Sequence, residues 1–174
     1  AEYLPLADAA LRKAGVARGL ATPGNFCMRR GPFVIAHATQ TPLTIPGKLI
    51  DVFDTDLPVL NGVKVEPGAS GVYRDVTSAL DSAADGRLRP RVLHCTHRLT
   101  AEEYKAGVLR FTIRGPAETP AVVRVLAAAT GAGSMTARDA AGKAVAVELR
   151  QDGPTQRLRF PNHPDGVTVE LAMQ

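Results

Sequence analysis

A chain of 174 residues that is 45% hydrophobic and 22% charged, with a net charge of +4, carries enough apolar material for one core and too little charge imbalance for disorder. No stretch approaches the roughly 18 uninterrupted apolar residues of a membrane-crossing helix, and two cysteines cannot build a disulfide framework. Sixteen arginines and five lysines are scattered along the chain and aromatic residues make up only 5% of it, which excludes the gathered charge and stacking rings of a nucleic-acid binder.

Residues 4–14 predict one amphipathic helix, because Leu4, Ala7, Ala10, Leu11 and Ala14 recur at spacings of three and four and Gly15 follows as a stop. Gly19, Pro23 and Gly24 then mark a connector. From Phe26 the pattern changes to short apolar runs bounded by turn residues. Strands are expected at 26–29, 33–38, 43–45, 49–53, 63–65 and 71–75, with turns at Asn61-Gly62 and Glu66-Pro67-Gly68. Residues 76–84 interrupt the rhythm as a brief helix ended by Asp85-Gly86. Further strands are expected at 91–99, 108–113, 121–126, 134–137, 144–149, 158–160 and 167–171. Leu109, Phe111 and Ile113 alternate with Val108, Arg110, Thr112 and Arg114, as a strand with one wet face requires. Asp139–Lys143 reads as a hairpin loop with Gly142 at its tight position. The fold class expected is all-β, an antiparallel β-sandwich of Ig-like or jelly-roll type, with residues 1–25 as helix and connector and 26–174 as the sandwich.

Chemistry-bearing residues are few. His94-Cys95-Thr96-His97 offers imidazole and thiolate for zinc, with His37 and His163 as partners that only the fold can bring near. On one continuous strand Cys95 and His97 share a face and His94 points away, which leaves too few ligands on one side. Asp51, Asp54 and Asp56 gather oxygens of the kind calcium takes, but the run lacks EF-hand spacing and a solvated strand end is the favoured reading. Cys27 and Cys95 form an even pair, bridged if their strands are neighbours in an exported chain. Asp51, Asp75, Glu102 and Glu148 are acids, but no motif ties two of them together as a glycosidase pair. Gly131-Ala132-Gly133-Ser134 has no helix behind it to cradle phosphate. Without Trp, a flat polysaccharide-binding face is not expected. Tyr73 and Tyr104 are left as the rings for stacking on a sugar, with Arg and Asp recognising a chain end. The only local basic cluster is Arg87, Arg89 and Arg91, followed by Arg98.

Three stretches carry a resemblance: Arg29-Arg30-Gly31-Pro32-Phe33-Val34-Ile35-Ala36, Pro46-Gly47-Lys48-Leu49-Ile50-Asp51-Val52-Phe53 and Val63-Lys64-Val65-Glu66-Pro67-Gly68. In this order they resemble the C-terminal β-sandwich domains that follow the catalytic barrel of many bacterial glycoside hydrolases. The segment from Ala121 to Leu171 is similar in its strand and hairpin pattern. The resemblance implies a non-catalytic accessory domain that packs against a glycoside-hydrolase catalytic domain and touches glycan. It implies no catalytic residue in this chain, and it makes residues 4–14 the last barrel helix or a linker helix. No cofactor is implied, calcium and zinc being the ions the side chains allow. The partners expected are the catalytic domain and glycan, with neither nucleic acid nor membrane. A secreted or periplasmic setting is favoured over the cytoplasm. The rival readings are a free-standing carbohydrate-binding module and a small metal-dependent enzyme built on His94 and His97.

Overall fold

A computed structural model of the chain describes residues 24–84, 89–127 and 132–173. The helix expected at 4–14 lies outside them. The described residues are mostly β-strand in antiparallel sheets, with one short helix. No helix among them is long and apolar enough to cross a membrane.

Sheet I has the order β1-β2-β5-β3-β4, formed by β1 (Phe26–Arg30), β2 (Phe33–His37), β3 (Leu43–Asp51), β4 (Val59–Val65) and β5 (Ser70–Asp75). Two expectations are corrected here. The run 43–45 and residues 49–51 of the run 49–53 belong to a single strand, with Val52 and Phe53 in the bend beyond it, and Asn61-Gly62 is no turn but part of β4. The register slips between Ile45 and Lys48 of β3, where two residues, Pro46 and Gly47, face one on β4. Such a bulge suits Pro46, which has no N–H to give the ladder, and it places Gly47 at φ 112° and Gly62 at φ 75°. The Glu66-Pro67-Gly68 turn forms as expected, with Gly68 N–H donating to Ala38 O. One face of sheet I buries Val34, Ala36, Ile45, Leu49, Val65 and Tyr73.

The helix α1 (Thr77–Ala84) follows β5, as the sequence pattern predicts. Asp75 Oδ1 accepts the Thr77 N–H at 3.0 Å, satisfying one of the free donors at its start. Its Ala79 and Leu80 join Ile50, Leu57 and Val76 in a second cluster with Leu93, Val122 and Leu126. That cluster seats sheet I on the outer side of sheet II.

Sheet II has the order β11-β12-β9-β6, and sheet III the order β10-β13-β8-β7. Their strands are β6 (Arg91–Cys95), β7 (Arg98–Lys105), β8 (Val108–Arg114), β9 (Pro120–Leu126), β10 (Ala132–Asp139), β11 (Glu148–Asp152), β12 (Thr155–Pro161) and β13 (Val167–Met173). The inner faces meet through one apolar cluster: Leu109, Phe111 and Ile113 of β8 and Val167, Val169 and Leu171 of β13 face Val123 and Val125 of β9 and Leu158 and Phe160 of β12. Each large side chain taken out of water there contributes about 1.5–3 kcal/mol. The expected single strand 91–99 is in fact two: β6 ends at Cys95, Thr96 and His97 turn, and β7 continues in the other sheet. The expected strand 144–149 begins only at Glu148. The strand expected at 134–137 begins earlier, at Ala132.

Candidate functional site

The polar chemistry of the described residues concentrates on sheet II and along its seam with sheet III. Across the outer face of sheet II the register aligns Arg150, Arg157, Arg124 and His94 in one row over four strands. Like charges in a row are tolerated because a loop of sheet I brings acceptors to them. Arg157 Nη1 pairs with Asp56 Oδ1 at 2.6 Å and its Nη2 reaches Glu148 Oε1 at 3.3 Å. Arg124 is only 3% exposed. It donates to Leu57 O at 3.0 Å, Asp56 O at 3.2 Å, Thr155 Oγ1 at 3.3 Å and Asp152 Oδ2 at 3.0 Å. This arrangement neutralises and locks, and a cavity of about 250 Å³ beside it is lined by the same arginines and aspartates.

His94 ends the row. The register of β6 slips between Val92 and His94, so Leu93 and His94 both turn outward: Leu93 joins the cluster under sheet I and His94 meets the edge of Phe33. Arg74 Nη1 lies 3.5 Å from His94 Nδ1. Burial, with Arg74 adding repulsion, pushes the imidazole down to about 4. His97 lies in the turn, its Nδ1 2.9 Å from Thr96 Oγ1 and its Nε2 3.4 Å from Thr119 Oγ1. His37 pairs with Ser70 in sheet I, and His163 sits near Asp165 in the β12–β13 loop.

The four histidines therefore stand in four places. Among the described residues no three His, Cys, Asp or Glu side chains gather as metal ligands. The aspartates that calcium would need together do not converge. Asp51 Oδ1 accepts Phe53 N–H and Asp54 Oδ1 accepts Asp56 N–H, each closing its own turn, while Asp56 turns to Arg157. The Cys27–Cys95 bridge, conditional on neighbouring strands, is not formed either. Both thiols are free, Cys27 packing on the core of sheet I and Cys95 on that between sheets II and III. Burial raises the Cys95 thiol, and its Sγ donates to His97 O. Tyr73, expected as a stacking ring, is 6% exposed and lies over Gly71 inside the sheet I core, so it has no face to offer a sugar. Asp75, one of the scattered acids, is a structural group: burial alone would raise its carboxyl, but hydrogen bonds from Arg29 and Thr77 outweigh this and hold it low.

Tyr104 is placed differently. β6 and β7 are the edge strands of their sheets and are not paired with each other. Glu102 of β7 reaches across this open seam to accept Val92 N–H at 2.6 Å, which covers part of the bare edge of β6. Beside it opens a groove of about 480 Å³ lined by Arg89, Pro90, Arg91, Glu102, Glu103 and Tyr104. Tyr104 is half-buried, packed on the shared core and opposite Leu109 in register. The arginine pair was legible in the sequence as alternating residues of a basic cluster, whereas its meeting with Glu102 and Tyr104 depends on an unpredicted strand. No protein-family model and no curated protein sequence matches this chain.

Proposed function

We propose that the chain is a non-catalytic β-sandwich domain of a carbohydrate-active enzyme, covering and stabilising a glycoside-hydrolase catalytic domain and touching its glycan. Sheets II and III are the two layers of that sandwich, in an Ig-like or jelly-roll arrangement, and their shared apolar filling supports this reading. The three resembling stretches form the β1–β2 hairpin, the bulged part of β3 with the loop beyond it, and the end of β4 with its turn, all in sheet I beside the two layers of the sandwich. The observation that carries the function is what the second of them exposes. The second stretch ends in Phe53, which is 75% exposed, a large apolar ring left out of all three cores. A ring in that position suits burial against a neighbouring domain.

The test is co-expression with a glycoside-hydrolase barrel, which the proposal requires to be encoded in the same gene or beside it. The two should co-purify, the barrel should melt several degrees higher in company, and Phe53→Ser should weaken both effects while leaving the fold of this chain intact. Hydrolysis of aryl glycosides by this chain alone, or a barrel indifferent to it, would overturn the reading.

A further inference from the structure

We propose that β1 pairs antiparallel with β1 of a second copy of this chain, across a two-fold axis at Met28, to give a transient dimer with one continuous sheet. The inference is independent of the accessory-domain reading.

Among the described residues four large apolar side chains are left exposed. Two of them, Phe26 at 42% and Met28 at 39%, stand two apart on one face of β1. Among the same residues β1 is an edge of sheet I, so one side of its backbone offers hydrogen bonds to an arriving strand. Other edges are guarded: β7 exposes Glu102 and Glu103, β11 exposes Glu148 and Asp152, and Glu102 covers part of β6. Behind Met28 the register continues an apolar row through Ile35 of β2 and Val72 of β5, both half-buried, on the face opposite Val34 and Tyr73. Self-pairing of β1 joins two such rows at Met28 and takes apolar surface of both copies out of water.

Charge selects the occupant and the register. β1 carries Phe26 at one end and Arg29 and Arg30 at the other, and antiparallel self-pairing sets unlike ends together. With Met28 on the axis all five residues find a mate within the strand: Phe26 meets Arg30 of the second copy, Cys27 meets Arg29, and Met28 meets itself. A guanidinium over an aromatic face is attractive, and Asp75 already answers Arg29. The two Arg30 residues stand four positions apart, about 13 Å, beyond the screening length of about 8 Å at physiological salt. Parallel pairing, or an axis at Arg29 or Arg30, would instead set like charges side by side. The strand is thus complementary to itself, as a two-fold interface demands. So short an edge keeps the buried area below about 1,200 Å², the range of transient contacts.

The experiment is sedimentation equilibrium of the whole chain from micromolar to millimolar concentration. It should show a monomer–dimer equilibrium that persists in high salt. Met28→Lys should weaken dimerisation at least ten-fold and leave the melting temperature of the dilute monomer unchanged, since Met28 lies outside all three cores. Register is read by mild oxidation in a Cys27→Ser background. Met28→Cys, on the axis, should form a disulfide between copies, whereas Phe26→Cys, about 13 Å from its mate, should not. A chain monomeric throughout, assemblies larger than the dimer, dimerisation untouched by Met28→Lys, or Phe26→Cys cross-linking as readily as Met28→Cys would each overturn the proposal.

Discussion

Arg124→Met keeps most of the side chain's stem and removes its head. In the native chain the head has two kinds of partner. Leu57 O and Asp56 O are backbone carbonyls of a loop pressed onto sheet II, and Leu57 itself is fully buried with φ at 48°, a conformation few non-glycine residues adopt. Asp152, by contrast, has a side chain 56% exposed. Net hydrogen bonds to a charged group are worth about 1.5–3 kcal/mol, and a buried acceptor left without a donor costs about 1–3 kcal/mol. The two carbonyls together set an expected loss of about 2–5 kcal/mol, a large share of the roughly 5–15 kcal/mol that holds a domain folded. The exposed pair contributes at most about 1 kcal/mol. Urea unfolding at low salt and in 1 M NaCl separates the two. Asp152→Asn should cost less than about 1 kcal/mol and approach zero in high salt, where charges are screened beyond about 3 Å. Arg124→Met should keep its loss, since short bonds to neutral carbonyls are barely screened. A loss below about 1 kcal/mol for Arg124→Met, or one that vanishes in salt, refutes the argument that the carbonyls carry the clamp.

His94 is neutral in both states above its ordinary pKa of 6.5; as pH falls below that, the unfolded chain gains a proton that the folded chain refuses until about 4. Stability should therefore drop across this window, by up to about 3 kcal/mol, and His94→Phe should flatten the profile there; an unchanged slope in the variant would contradict the assignment. Tyr73→Ala removes a buried ring from the sheet I core and should cost about 3–5 kcal/mol, lowering the melting temperature by roughly 6–20 °C. A shift of a degree or two would mean that the ring is not a core element. Thiol titration in denaturant should return two free thiols per chain before and after reductant, with Cys95 slow to react in the native protein because burial raises its thiol. Thiols that appear only after reduction would restore the bridge.

What the sequence made legible follows from the reach of each signal. The strand β8 reads correctly because Leu109, Phe111 and Ile113 bury on one face with no bulge to upset the count. The strand β7 beyond Leu99 was invisible for the opposite reason. Arg98–Lys105 is an edge strand whose Glu102 and Glu103 discourage pairing with another chain, so its composition resembles a loop. Bulges defeat period-two reasoning in the same way: the extra residue at Leu93 turns two consecutive side chains outward, and that at Pro46-Gly47 makes one strand look like two.

The metal-ligand candidates part on a longer scale. His94 and His97 are three residues apart, yet a turn parts them, sending one against Phe33 and the other to Thr119. Asp51, Asp54 and Asp56 are adjacent acids whose nearness in sequence suggested a shared cation. In the fold two of them serve their own turns, and the charge that answers the third is Arg157. Arg124 reaches the same loop from 67 residues away. Local composition sets the acidity of such a run, but the partner that neutralises it is chosen by which strand the topology lays beneath the loop. A row of arginines across three strands is itself unstable without that loop, so each half of the clamp is explained only by the other.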